Sequence, residues 1–120
     1  MKTLAMILIA IVAAEHVGIL VLEMFFWDHP IGRNIFDMTA EESAISAVLA
    51  ANQGLYNGFL AAGLFWGLIA QKRDVVIFFL LCVIVAGIYG SATAKFTILF
   101  TQAVPAALAL AATLIGWRRA

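Results

Sequence analysis

Three long apolar runs dominate this 120-residue chain and limit the structures that it can adopt. They cover about residues 3–27, 44–70 and 75–117, and each exceeds the roughly 20 residues that an α-helix needs to cross a bilayer. Hydrophobic residues make up 65% of the sequence and charged residues 12%, with a mean hydropathy of +1.07. A soluble domain of this size needs more polar surface, so the sequence predicts an integral membrane protein.

The third run is too long for a single crossing. At about 1.5 Å per residue it would form a helix of roughly 64 Å, about twice the thickness of the hydrocarbon core. A break is expected between Gly87 and Lys95, where small and polar residues surround the only charge of the run. The sequence thus predicts an all-α, four-helix transmembrane bundle forming one domain, with spans at about residues 3–27, 44–70, 75–92 and 97–117.

The distribution of basic residues predicts the orientation. In a four-span arrangement Arg33 and Lys95 fall on one side of the membrane, and the other five basic residues fall on the opposite side. Cytoplasmic segments carry the excess of lysine and arginine, so both termini are expected in the cytoplasm. The lipid bilayer is then the main partner, and nucleic acid is not expected because no basic stripe is present. The five are Lys2, Lys72, Arg73, Arg118 and Arg119.

The segment between the first two spans, residues 28–43, is the longest non-spanning stretch. Asp28-His29-Pro30 followed by Gly32 reads as a turn. Thr39 and Glu42 have the spacing of a capping box, so the second helix is expected to begin near residues 39–41. The apolar residues of this segment either lie on the membrane surface or cover the outer end of the bundle; they are Ile35, Phe36 and Met38.

Glycines on the second span predict close helix packing. Gly54 and Gly58 lie on one face of the helix, whereas Gly63 and Gly67 lie on the other. Small residues four apart allow two helix backbones to approach closely in lipid. The second helix is therefore either central in the bundle or the contact surface of a homo-oligomer.

Polar residues inside the first two spans are the candidate functional site. Counted from the shared outer loop, Glu15 and His16 lie about 17–18 Å deep, and residues 52–57 lie about 12–20 Å deep. Ionisable groups at this depth are costly and usually serve a function. We expect a polar pocket open to the outer face above an apolar floor, with Glu15 and His16 as a catalytic acid/base pair. The residues expected to bind the ligand are Glu23, Asn52, Gln53, Tyr56 and Asn57.

Structural roles for the same residues stay open. Asn52, Gln53 and Asn57 are also typical interhelical hydrogen-bonding residues, and Glu15 with His16 also fits a buried ion pair. The sequence contains neither HExxH nor a paired-histidine spacing, so no metal or other cofactor is expected.

Two segments resemble a known family. The motifs Glu15-His16-Val17-Gly18-Ile19 and Asn52-Gln53-Gly54-Leu55-Tyr56-Asn57-Gly58, with the residues around them, are similar to small bacterial membrane proteins that carry domain of unknown function 1304. The resemblance covers nearly the whole chain. It implies a four-span protein of the bacterial inner membrane but supplies no reaction.

A looser similarity is to small multidrug-resistance exporters. These also have about four spans and a membrane-embedded glutamate in the first, matched here only by Glu15. The basic-residue bias and the amide cluster depart from that pattern. Three functions follow as expectations: a pocket for a small, partly lipophilic molecule, whether enzymatic or not; a proton-coupled exporter of small cations; or an accessory membrane subunit. The apolar floor favours the pocket.

Overall fold

The structure is a computed structural model that describes residues 1–118, so the predicted inner-side residue Arg119 lies outside the described residues. It contains five α-helices and one short π-helical segment, and no strand is present in the described residues. The predicted all-α class is therefore confirmed. The helices are α1 (Lys2–Phe25), α2 (Pro30–Phe36), α3 (Ala40–Ile69), α4 (Arg73–Thr93) and α5 (Val104–Gly116), the last directly preceded by the π-helical residues Leu99–Ala103.

Among the described residues, three helical segments are both long and apolar enough to cross a membrane. Lys2–Phe25 and Arg73–Thr93 have mean hydropathies of 2.4 and 2.6, and Leu99–Gly116 reaches 1.7. With 30 residues, α3 is long enough but is not among the three. Its amide residues lower its hydropathy, so the second of the four expected spans stays a prediction.

The chain divides into two compact units. One, here called the apolar unit, comprises Met1–Ala14 and Leu60–Ala120. The other, here called the polar unit, comprises Glu15–Phe59. Both α1 and α3 contribute residues to each unit, and all seven predicted site residues belong to the polar unit.

The apolar unit is held together by close packing of aliphatic side chains. Its core includes Leu64, Leu80 and Val83, all of which are fully buried. A Cβ on Gly63 would come within 2.4 Å of the Phe79 ring, and a Cβ on Gly67 would lie 2.5 Å from Val76. The absence of side chains at these two glycines thus lets α4 approach α3.

The predicted fold-back in the third apolar run is present, but it lies at the end of the expected interval. Helix α4 continues through Gly87 to Thr93, and the connection spans residues 94–98. The following π-helical turn has a local cause in Pro105. Proline has no N–H, and its ring displaces the carbonyl four residues earlier, that of Thr101. The backbone hydrogen bonds there join residues five apart instead of four, and the Val104 N–H donates to the Leu99 carbonyl.

In the polar unit, the expected capping box starts α3. The backbone N–H of Thr39 donates to Glu42 Oε2 at 2.8 Å, and the Glu42 N–H donates to Thr39 Oγ1 at 3.1 Å. Helix α3 begins at Ala40, within the predicted interval. This reciprocal pair satisfies donors that a helix N-terminus otherwise leaves unpaired.

Of the turn expected at residues 28–32, Asp28 and His29 lie in a turn after α1, and Pro30 begins helix α2. His29 is the N-cap, and its Nδ1 accepts from the Ile31 N–H at 3.1 Å. Pro30 occupies the first turn, where its fixed φ suits a helix and its missing N–H costs nothing. Asp37 ends the helix in the left-handed conformation, with φ of 53°. The predicted turn is thus confirmed at Asp28 and His29, but it ends at Pro30, which begins a short helix that the sequence analysis did not predict.

Candidate functional site

A small polar cluster joins the end of α1 to the start of α3. The Ser43 hydroxyl donates to Asp28 Oδ1 at 2.8 Å, and the Arg33 guanidinium donates to the same oxygen at 3.2 Å and to Ser43 Oγ at 3.1 Å. Ser43 is fully buried, whereas Asp28 and Arg33 keep partial access to solvent. The hydrogen bonds from Ser43 and Arg33 lower the pKa of the Asp28 carboxyl. We call these three residues the clasp.

A tryptophan reinforces this end of the polar unit. The indole N–H of Trp27 donates to Ser46 Oγ at 2.9 Å, and the Ser46 hydroxyl donates to the Glu42 carbonyl at 2.6 Å. The ring of Phe36 in α2 lies 4.8 Å from the Trp27 ring, measured between centroids. Sequence reasoning did not find the clasp or this tryptophan bridge, since short-range serine and aspartate contacts have no distinctive spacing.

Glycines of α3 allow it to pack closely against α1 within the polar unit. A Cβ on Gly54 would lie 2.7 Å from Met24 Cγ and 3.2 Å from the Leu20 carbonyl oxygen. A Cβ on Gly58 would come within 2.5 Å of the Leu20 side chain. The four glycines of α3 thus allow close packing against α1 within the polar unit and against α4 within the apolar unit. A homo-oligomer through these glycines remains untested.

One side-chain hydrogen bond connects the two helices at this level. The Asn57 amide donates from Nδ2 to Glu23 Oε1 at 2.7 Å. The same amide donates to the Gln53 carbonyl at 3.0 Å, so it is held by both helices. Both side chains are half-buried. A carboxylate and an amide paired in this way lower the cost of placing polar groups between apolar helices.

The partner of this amide differs from the expected one. Equal depth counted from the outer loop predicted that Glu15 or His16 would meet an amide or hydroxyl of α3. The observed register places Asn57 with Glu23, which lies eight residues, or about 12 Å, along α1 from Glu15. The count from the helix ends did not include the contacts at Gly54 and Gly58, and a contact of His16, or a water-mediated contact of Glu15, with the polar groups of α3 stays a prediction.

Glu15 and His16 have different environments. His16 is buried, with 1% of its surface exposed. Glu15 is half-buried, and within residues 1–118 its carboxylate has neither a hydrogen bond nor an ion pair. An ionisable group without a partner on an apolar helix is costly, and the acid/base role expected of Glu15 stays a prediction.

The other predicted ligand-binding residues lie on the surface of α3. Asn52, Gln53 and Tyr56 are exposed, and the exposed fraction of Tyr56 is 59%. Asn52 donates to the Val48 carbonyl of its own helix at 2.9 Å, and the Tyr56 ring contacts Phe59 edge to face. The structure therefore brings Glu23 and Asn57 together and leaves these three facing outward. Their role in ligand binding is not tested by the structure.

No group of three or more histidine, cysteine, aspartate or glutamate side chains with the geometry of a metal site occurs in the part of the chain that is described. The single Cys82 is a free thiol on α4.

Comparison with known proteins provides a family but no activity. Residues 10–114 match a family described as "Protein of unknown function (DUF1304)". The chain is also 35% identical over 114 residues to "Uncharacterized protein YpaA" of Lactococcus lactis subsp. lactis (strain IL1403), covering 92% of this chain and 96% of that protein. No solved structure matches the chain. The match extends over most of the sequence and includes both polar motifs, and on this basis the chain belongs to the DUF1304 family.

Proposed function

We propose that this protein is a four-span protein of the bacterial inner membrane whose polar unit binds a small, partly lipophilic molecule from the outer side. Both termini are cytoplasmic in this proposal, and α3 is the span that the polar residues make less hydrophobic. Glu15 is the acid/base group, and His16, its neighbour in sequence, is the second titratable residue. Glu23 and the amides of α3 orient the polar part of the molecule.

The unpartnered carboxylate of Glu15 carries the proposal. It lies on α1, a helix with a mean hydropathy of 2.4, and no side chain or backbone group within residues 1–118 pairs with it. An ionisable group at bilayer depth is retained only where it has a compensating partner, such as a ligand, a proton or water in a cavity. Because the described chain supplies no partner for the Glu15 carboxylate, the simplest partner is a bound molecule or an exchanging proton.

Exposed polar groups on α3 support the same proposal. The Gln53 side chain makes no hydrogen bond within the described chain, and the Tyr56 hydroxyl makes none either. Such groups cannot face hydrocarbon without losing several kcal/mol each by transfer estimates. They are suited instead to contact a polar ligand or water, while the Glu23–Asn57 hydrogen bond keeps the two helices in register.

The core of the apolar unit favours a one-sided pocket over an exporter. Leu64, Leu80 and Val83 are fully buried, and the buried cluster around them consists of apolar residues. Passage of a cation through this unit would need polar groups or a mobile gate. The one fully buried polar residue described in this unit is Thr113, whose hydroxyl donates to the Ala109 carbonyl of its own helix, so release on the side of entry is the simpler mechanism.

The variant Glu15→Gln tests the function. Glutamine keeps the shape and hydrogen-bonding capacity of the side chain but removes the titratable proton. Purified protein is screened by thermal shift against small amphiphilic amines, alcohols and carboxylic acids, since a ligand that binds the native state raises the apparent stability. We expect Glu15→Gln to fold normally and to lose the stabilisation given by any hit between pH 5.5 and 8.5.

Glu41→Gln is the matched control, because Glu41 is exposed in the first turn of α3 and makes no contact that would be lost. It should retain the wild-type response. Equal ligand response in Glu15→Gln and wild type across the same pH range would refute the acid/base role and leave the accessory function in its place.

The proposed orientation is tested separately by cysteine labelling in intact cells with Cys82 replaced by alanine. Asp37→Cys should react with a membrane-impermeant reagent added outside, and Lys72→Cys should not. Reaction at Lys72→Cys from outside would overturn the topology.

A further inference from the structure

An apolar groove lies within the apolar unit, beside the N-terminal half of α1. It has a volume of about 560 Å³, within the usual range for small-molecule sites. Its lining is almost entirely aliphatic, and the one hydroxyl belongs to Thr3, at the terminal end of the helix. The lining residues are Thr3, Met6, Ile7, Ala10, Leu68 and Ile69.

Two lysines flank this end of the apolar unit. Lys2 precedes Thr3, and its Nζ lies 5.1 Å from the centroid of the Trp117 ring. Lys72 follows the end of α3, and its Nζ lies 6.0 Å from the Trp66 ring centroid. Tryptophan is the aromatic residue typical of the membrane interface, where cations of this kind meet lipid headgroups.

Both lysines keep their charge available. Each is exposed, and within residues 1–118 neither forms an ion pair. Asp74, in the first turn of α4, is the nearest acidic residue in sequence and is not paired with Lys72. Placement over an indole ring restrains an ammonium group without neutralising it.

From these features we infer that the groove is a binding site for an anionic phospholipid. One acyl chain lies along Met6, Ala10 and Leu68, and the phosphate is held by Lys2 and Lys72. The complementarity of charge selects this occupant, because a zwitterionic lipid would place a cation beside the same two lysines. The site depends on the proposed membrane location but not on the polar unit.

Lipid affinity measured by native mass spectrometry tests the inference. Protein in a neutral detergent is titrated with phosphatidylglycerol or with phosphatidylcholine of the same acyl composition. We expect wild type to prefer phosphatidylglycerol. Each of Lys2→Gln and Lys72→Gln should weaken phosphatidylglycerol binding about fivefold, and the double variant about 25-fold, from about 1 kcal/mol for each basic residue near the lipid.

Lys95→Gln removes the same charge from the connection between α4 and the π-helical segment and should leave the affinity unchanged. A third variant, Ala10→Leu, fills the groove and should weaken both lipids without abolishing the preference. Three results would overturn the site: equal affinity of wild type for the two lipids, an equal loss in Lys95→Gln, or full competition by inorganic phosphate. Thermal shift with each lipid provides the same comparison if one variant is too unstable for mass spectrometry.

Discussion

The polar and apolar units share the two long helices α1 and α3, yet different interactions stabilise them. In the apolar unit, buried leucine and valine side chains fill the space between α3, α4 and α5, and Thr113 is the one polar residue among those described that is fully buried there. In the polar unit, side-chain hydrogen bonds connect the helices and their ends; they belong to the capping box, the clasp and the Glu23–Asn57 pair.

This difference shows how a largely apolar chain can carry a polar site. Lipid provides no hydrophobic driving force for helix association, so packing and interhelical hydrogen bonds must supply it. The apolar unit relies mainly on the first of these, together with the hydrogen bond from the Arg73 side chain to the Trp117 carbonyl. The polar unit uses the second, and Glu15 takes no part in these hydrogen bonds within the described chain.

The largest effect is expected at Gly32 in the polar unit. A Cβ there would lie 1.9 Å from the Phe26 carbonyl oxygen and 2.7 Å from that of Trp27. These are backbone atoms and cannot rotate away, so Gly32→Ala should displace α2 from the end of α1. We expect a loss of about 3 kcal/mol in the free energy of unfolding, measured by denaturant titration in detergent. Gly18→Ala is the control, since a Cβ at Gly18 meets nothing within 4 Å and should cost nothing.

A smaller loss is expected from a cavity in the apolar unit. Leu80 is fully buried, and in lipid its truncation loses mainly packing rather than transfer free energy. Leu80→Ala should therefore destabilise by about 2 kcal/mol, from the cavity term alone. The neighbouring Leu81 is 46% exposed, and Leu81→Ala should have little effect in the same assay. Similar losses for the two variants would mean that packing does not stabilise this unit as described.

The Glu23–Asn57 hydrogen bond is expected to contribute about 1 kcal/mol, the usual value for such bonds between membrane helices. A double-mutant cycle with Glu23→Ala and Asn57→Ala isolates this coupling energy from the other effects of each substitution. Repeating the cycle with Asn52→Ala in place of Asn57→Ala gives the control, because Asn52 bonds only its own helix. Coupling to Asn52 as strong as coupling to Asn57 would contradict the observed register.

The smallest effect is a pH dependence at the clasp. Hydrogen bonds from Ser43 and Arg33 lower the pKa of Asp28 in the folded protein. The ionised Asp28 carboxyl therefore adds to the free energy of unfolding at pH values above its unfolded pKa, about 4. This stabilisation is lost as the pH falls through the lower pKa of the folded protein. Wild type should be slightly more stable than Asp28→Asn at pH 7, and the difference should shrink below about pH 4. A constant difference from pH 7 to pH 2.5 would show that the carboxylate charge is not involved.

Local signals in the sequence were sufficient for several elements. Thr39 and Glu42 predicted the start of α3, and the length of the third apolar run predicted its fold-back. His29 and Pro30 also carried a usable signal, an N-cap followed by proline in the first turn, which would have identified α2.

The relative positions of residues on α1 and α3 required more than local signals. The register depends on which side chains meet Gly54 and Gly58, and the sequence does not show that Leu20 and Met24 are those side chains. Counting from the helix ends therefore placed the amides at the depth of Glu15 and His16, whereas Asn57 bonds Glu23. The general cost of polar groups in lipid drew attention to these residues but did not indicate their partners.

The most direct test of the account is the reactivity of Glu15→Cys toward a charged, membrane-impermeant methanethiosulfonate reagent in intact cells, with Cys82 replaced by alanine. If the polar unit opens to the outer side, this cysteine should be modified from outside, as should Gln53→Cys. Ile7→Cys in the apolar unit should stay unmodified, because its exposed side chain faces lipid in this account. Modification of Glu15→Cys only after the cells are permeabilised, or not at all, would contradict a pocket open to the outer face.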